Sequence, residues 1–542
     1  METPAANGHP VGANPGTGGF SNRRKAAILA TCCLSVLIAG IEITSLNLAI
    51  PAIRSDLNAT AAHAQWAVAI YSLGVASLLM LGGAAGDRFG RRRVLQIGMT
   101  IFLLGSLLCS LAPVIDVLIA GRLVQAVGAS MMNPVALAII SQVFVAPDER
   151  ARAIGIWGAV FGASVVLGPV IGGVLIHLFG WRAVFWINIP LGVVAIIACA
   201  VLVPESRSAT IRSTDPIGQL LVAGSLFGLV FVLIESSGRG WTHPWIIVTA
   251  VATVLAFVGF LRYESRHPEP FIELRFFRSI PFAASTVTAL CVFIVWGAFL
   301  FMMSLYLQSW RDYTAIHAGL LLLPVGVAVL VVSPISGYLV RRFGSRPPLL
   351  ITGLMTAAAS ILLAFVEPTA PRWLLMMIFT AVGIAFGMVT VPVNYTAVSG
   401  MPLDRAGTAA GITNTGKQVG ISLGVAFSGV LAAGALAPPD GDFADSADPL
   451  WVFTFALGLA ITALAFVSTS SRAKRSAERL APLISSTAAE RSPSPVSPSA
   501  QQHESADARK CPLSWDDWCC LGGNRPRFSK GASSASGPHV HP

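Results

Sequence analysis

The sequence predicts an all-α integral membrane protein of 14 transmembrane helices, built as two six-helix bundles with two extra central spans. Three observations predict it. Only 11% of the residues are charged and 54% are apolar, whereas a soluble domain carries about 25% charged residues. Apolar runs close to the ~20 residues that a bilayer needs recur along the chain. Two motifs of the first half return in the second half at nearly the same offset. A membrane β-barrel would alternate apolar and polar residues in short segments. Continuous runs leave helices as the spanning structure.

The runs fall at 26–51, 64–85, 94–112, 114–141, 152–176, 182–203, 216–236, 244–261, 281–308, 315–340, 347–366, 372–399, 406–433 and 449–469. With the N-terminus in the cytoplasm, the inner segments carry 23 Lys and Arg and the outer loops 5, namely Arg54, Arg182, Arg239, Arg311 and Arg372. This bias predicts a multi-pass protein of the inner (plasma) membrane with both termini cytoplasmic. The acidic loop of Asp440, Asp442, Asp445 and Asp448 then falls outside. The net charge of +10 comes from basic residues in short bursts between apolar runs. That pattern excludes a nucleic-acid partner better than it supports one. The first 22 residues are polar, so no cleavable signal peptide is expected.

The repeat sets the domain plan. Gly83 to Arg93 is echoed by Gly337 to Arg346 at an offset of 254, and Pro147-Asp-Glu-Arg-Ala by Pro402-Leu-Asp-Arg-Ala at 255. The chain reads as a cytoplasmic N-terminal tail (1–25), a first bundle (26–203), two extra spans with linkers (204–280), a second bundle (281–469) and a disordered cytoplasmic tail (470–542). Transporters with such repeats place the solute site at the repeat interface near the midplane. Cys32, Cys33, Cys109, Cys199 and Cys291 lie in apolar runs and read as small buried hydrophobes. Cys511, Cys519 and Cys520 share the tail with Trp515, Trp518, His539 and His541, and no spacing suggests a zinc site or disulfide framework. No metal and no cofactor are expected.

Several motifs carry chemistry. Gly83 to Leu95 reads GAAGDRFGRRRVL in the loop between spans 2 and 3. Gly83 suits close helix approach, Gly90 a tight turn, and Asp87 can latch onto a basic residue or a helix N-terminus beside Arg88 and Arg91. Its echo has Arg341 where Asp87 stands, so the second latch lacks its acid. Span 1 holds Glu42, Thr44, Asn47 and Pro51. A carboxylate inside a span is costly and marks function by default. Span 4 holds Arg122-Leu-Val-Gln125-Ala-Val-Gly128. Glu42 and Arg122 both lie about 12–14 Å from the outer ends of their spans at roughly 1.5 Å per residue, so they can share one cavity. Span 5 holds Gly162, Gly168, Pro169, Gly172 and Gly173. Span 13 holds Asn414-Thr-Gly-Lys417-Gln418. Gly411 to Lys417 imitates a phosphate-binding loop up to its last residue, but it lies in an apolar helical run with no strand before it. Gly420 to Gly424 imitates a nucleophile elbow in the same unsuitable setting.

Together these motifs resemble the major facilitator superfamily, and in it the fourteen-span drug:proton antiporter family. The resemblance covers roughly residues 26–470. Departures are Glu42 for the usual Asp, Ala126 for the first Gly of the span-4 motif, and Lys417 for a frequent Arg. It implies a major facilitator fold and a monomeric transporter that is not an enzyme, sits in the lipid bilayer and runs on the proton gradient. Glu42 and Arg122 would couple protons. Gly83, Asp87, Arg88, Gly90 and Arg91 would gate. Asn47, Gln125, Asn133, Trp296, Asn394 and Lys417 would line the substrate cavity, with Gln65, Trp66, Tyr71, Gln308 and Tyr395 as further aromatic and polar candidates. Gly162, Gly168, Pro169 and Gly172 match the exporter motif. The expected function is export of small lipophilic or cationic compounds, as in multidrug or antibiotic efflux. The rivals are a proton-coupled importer and a dedicated metabolite or siderophore exporter of the same fold.

Overall fold

The computed structural model describes residues 20–207, 215–267, 272–367, 369–399, 401, 405–433 and 443–479. The N-terminal tail up to residue 19, Arg212, Asp440, Asp442 and the Cys, Trp and His residues of the C-terminal tail lie outside them.

Among the described residues all regular structure is helical. The first half comprises α1 (Asn22–Asp56), α2 (Ala61–Phe89), α3 (Arg91–Ser110), α4 (Ile115–Val143), α5 (Pro147–Phe179), α6 (Ala183–Trp186) and α7 (Asn188–Leu202). The extra pair is α8 (Pro216–Arg239) and α9 (Pro244–Glu264). The second half comprises α10 (Ile280–Leu305), α11 (Ala315–Leu321), α12 (Leu323–Phe343), α13 (Arg346–Ala364), α14 (Arg372–Val398), α15 (Ala406–Leu431) and α16 (Phe443–Ser468).

Local chemistry explains several ends and breaks. Thr60 caps α2 in a reciprocal box with His63, and Asp215 caps α8 by accepting from the Gly218 N–H at 2.9 Å. Two predicted spans are interrupted next to prolines. Pro190 and Pro324 have no N–H to return to residues 186 and 320, so α6 gives way to α7 and α11 to α12. The last turn of the α10 span, Tyr306–Trp310, is π-helical. The predicted tail begins at 470, yet residues 471–479 are helical. Ala473 and Ala477 are buried there, and Ser476 Oγ accepts from the Ile280 N–H at 3.0 Å.

Among the described residues, thirteen segments are long and apolar enough to cross a bilayer. The helix at the remaining predicted position, α15, has 26 residues but carries Thr, Asn, Lys and Gln in its middle turns. It packs against α2, α8 and α10. The outer face of α9 presents Trp245, Val248, Val251 and Leu255 to the surroundings, which suits lipid and would be a liability in water.

Within the first half α3 and α4 approach closely because Gly98 and Gly105 face Gly128 and Gly121. The halves meet where α2 crosses α15, where α5 meets α11 and α12, and where α1 meets α10. Along α5 the seam is closed at one end and open at the other. On one face of α5, Gly173 lies against Ala315, Pro169 against Gly319 and Val166 against Gly326. The same face continues through Gly162, Gly158 and Gly155, and a Cβ at any of the three would meet nothing within 4 Å. Gly337, on the matching face of α12, is also open. The two helices therefore splay toward the end that carries the α2–α3 loop.

Candidate transport cavity and coupling pair

Glu42 lies in the interior of α1 and is fully buried. One carboxylate oxygen accepts from Arg122 Nη1 on α4, and the other accepts from Asn188 Nδ2 on α7. Three further contacts hold the Arg122 guanidinium. Nη1 also donates to Gln125 Oε1 at 2.9 Å, Nε donates to the Ala67 carbonyl at 3.2 Å, and the guanidinium lies 4.3 Å from the centre of the Tyr71 ring. Gln125 Nε2 donates to Ser106 Oγ at 2.7 Å, which also accepts from Asn188 at 3.2 Å. Every group in this network is buried. Two opposite charges so placed compensate each other, and loss of either leaves an isolated charge in a dry interior.

Arg122 of this pair also lines a cavity between the halves, while Glu42 is not part of its wall. Asn47, Tyr71 and Arg122 line it from the first half, and Trp296, Ile421 and Val425 from the second. It has room for little more than a water molecule. Asn47 donates Nδ2 to the Ile43 carbonyl at 2.9 Å, but its buried Oδ1 has no partner. Trp296 stacks on Phe386 with ring centres 4.0 Å apart. The closed end is sealed by polar contacts to backbone: Gln65 Nε2 donates to the Val425 carbonyl, Ser304 Oγ to that of Asn47, and Gln308 Nε2 to that of Leu48. Gln65 and Gln308 thus act in the seal rather than in the cavity wall. Trp66 is also outside it, donating Nε1 to Glu235 on α8 at 3.0 Å. Asn394 and Asn414 both accept from Lys417 Nζ, at 3.0 and 2.9 Å. Asn133 joins neither group; its Oδ1 is buried without a partner. Tyr395 is exposed.

In the α2–α3 loop, Asp87 accepts from Arg91 Nη2 at 3.0 Å, and Arg91 Nη1 donates to Gln142 on α4 at 3.2 Å. Arg88 is exposed. Gly90 has φ +111, so the turn requires a glycine. Glu205, beyond α7, accepts from the Arg92 N–H at 3.2 Å and ion-pairs with Arg93 at 3.6 Å. Two glycine expectations need correction. Gly83 has only ordinary contact with Pro134 at 3.6 Å, and the close approach to α4 is made by Gly82 against Ser130 and Gly86 against Val135. Gly162 packs against nothing, whereas Gly168 and Gly172 press on Thr44 and Ser45 of α1, with Ser45 Oγ donating to the Gly168 carbonyl at 2.7 Å. Asn188, Ser106 and Glu205 escaped sequence reading. An Asn opening an apolar run is the one signal that pointed to Asn188.

A family profile described as Major Facilitator Superfamily matches residues 32–425. The chain belongs to that superfamily. Its relatives are resistance and export proteins. It is 35% identical over 416 residues to a tetracenomycin C resistance and export protein of Streptomyces glaucescens, covering 77% of each chain. It is 34% identical to a multidrug resistance protein of Mycobacterium tuberculosis, covering 76% of this chain and 77% of the relative. The puromycin resistance protein of Streptomyces alboniger is 34% identical, with 76% and 81% covered. Among solved structures, a D-xylose–proton symporter superposes with TM-score 0.60 at 15% identity, covering 82% of this chain and 97% of that one. At that identity the likeness shows the major facilitator fold alone. This superfamily member is a multi-span membrane transporter and not an enzyme.

Proposed function

We propose that this transporter is a proton-coupled antiporter that exports small lipophilic compounds, with α15 as its fourteenth span and both termini in the cytoplasm. The observation that carries the reading is the buried Glu42–Arg122 pair, whose Arg122 lines a cavity shared by both halves. Proton binding to Glu42 competes with Arg122 for the carboxylate, so it releases the guanidinium into the cavity wall. A cavity group thus changes its charge environment with each proton bound, which is the requirement for exchange of a proton against cargo.

The open seam supports the direction. With the basic α2–α3 loop cytoplasmic, the splayed ends of α5 and α12 face the cytoplasm, where exported cargo loads. α15 tolerates its polar turns because Lys417 bonds to Asn394 of α14 and to Asn414 of its own helix. The named activities of the relatives, tetracenomycin C export and multidrug or puromycin resistance, agree with efflux.

Right-side-out vesicles with an imposed inward proton gradient test the direction. Preloaded hydrophobic dye is expected to leave faster with the gradient than without it. Gradient-driven accumulation of dye inside would establish import instead.

A further inference from the structure

Lys417 stands in the interior of α15, and among the described residues it has no ion-pair partner. Its two hydrogen-bond acceptors, Asn394 and Asn414, are neutral, and the Phe293 ring centre lies 6.0 Å from its ammonium. No Asp or Glu occurs inside any helix from α10 to α15. The buried carboxylate of Glu42 has one oxygen held by Arg122 and the other by Asn188. A cation at that depth with only amide partners is expensive. Two amide acceptors orient the ammonium and leave its third N–H unused.

Helical spacing puts Asn414, Lys417, Gln418, Ile421 and Val425 on one face of α15. Ile421 and Val425 line the cavity beside Arg122 and Trp296. Lys417 therefore lies one turn, about 5.4 Å, from that lining toward the open end, where cargo enters. Trp296 and Tyr71 offer aromatic surface above it, and Asn47 Oδ1 waits there for a donor. A cationic cargo would meet an unneutralised ammonium on entry and be repelled.

From this juxtaposition we infer that the cavity takes lipophilic acids: aromatic compounds bearing a carboxylate or phenolate, with the anion on Lys417, the ring system against Trp296, and a hydroxyl or N–H donated to Asn47. The inference refines the export reading by naming the class of cargo.

Binding of two dyes with the same xanthene ring system, anionic fluorescein and cationic rhodamine 123, to the purified full chain tests it. Fluorescein is expected to bind at least about tenfold more tightly, as one charge-assisted contact gives. Lys417→Gln removes that preference and Lys417→Arg keeps it; monodisperse elution of each variant shows that it is folded. If the Gln variant fails to fold, the wild-type preference and the Arg variant still decide. Equal or weaker binding of fluorescein by the wild type, binding of neither dye, or an undiminished preference in a folded Lys417→Gln variant overturns the inference. The assay contains no proton gradient, so it separates this inference from the antiport reading. A cation-preferring protein that still drives efflux would sink the former and spare the latter.

Discussion

Arg122 touches Glu42, Gln125, the Ala67 carbonyl and the Tyr71 face at once. Removing it strands a buried carboxylate, at a cost of roughly 3–5 kcal/mol. Arg122→Ala is therefore expected to melt well below wild type in detergent. Arg122→Lys keeps the charge but cannot fill the same fork, so it should fall between the two. A wild-type melting temperature for Arg122→Ala would show that the pair does not hold the first half together. The pairing of Glu42 with Arg122 was legible because depth along a helix follows from residue count. Asn188 and Ser106 were not, because sequence does not say which faces of α3 and α7 turn inward. Lys417 was legible as a charge inside a span, but its partners were not, since Asn394 comes from another helix.

At the scale of helices, small residues decide where the elements touch. A Cβ on Gly168 would run into Thr44, and one on Gly172 would reach Ser45 Cβ at 2.7 Å. Gly168→Ala is expected to destabilise by about 1–3 kcal/mol, the usual cost of overpacking. Gly162→Ala fills open space and should leave the melting temperature within error of wild type. Equal losses for the two variants would contradict the splayed arrangement of α5. The glycine motif was readable, yet its assignment to contacts was not. Contacts depend on helical phase, and a shift of one residue turns a side chain by about 100°, which is why Gly82 and Gly86 rather than Gly83 meet α4. The spans themselves were readable from continuous apolar runs, apart from the breaks at Ile187 and Leu322 and the short helix at 471–479.

At the scale of the whole molecule, α5 meets the second half at one end and splays from α12 at the other, and Arg122 of the first half's buried pair lines the cavity between the halves. The internal repeat announced two halves. It did not announce which end is open, because one sequence must stabilise both ends of a transport cycle to within a few kcal/mol. Alternating access then requires that a proton on Glu42 change the balance between those states. The most direct test is Glu42→Gln, which keeps the shape and hydrogen-bonding capacity of the side chain and removes its proton equilibrium. In vesicles containing equal amounts of inserted protein, the variant is expected to bind dye yet show no acceleration of efflux when an inward proton gradient is imposed. Gradient-driven efflux at the wild-type rate in Glu42→Gln would contradict the account.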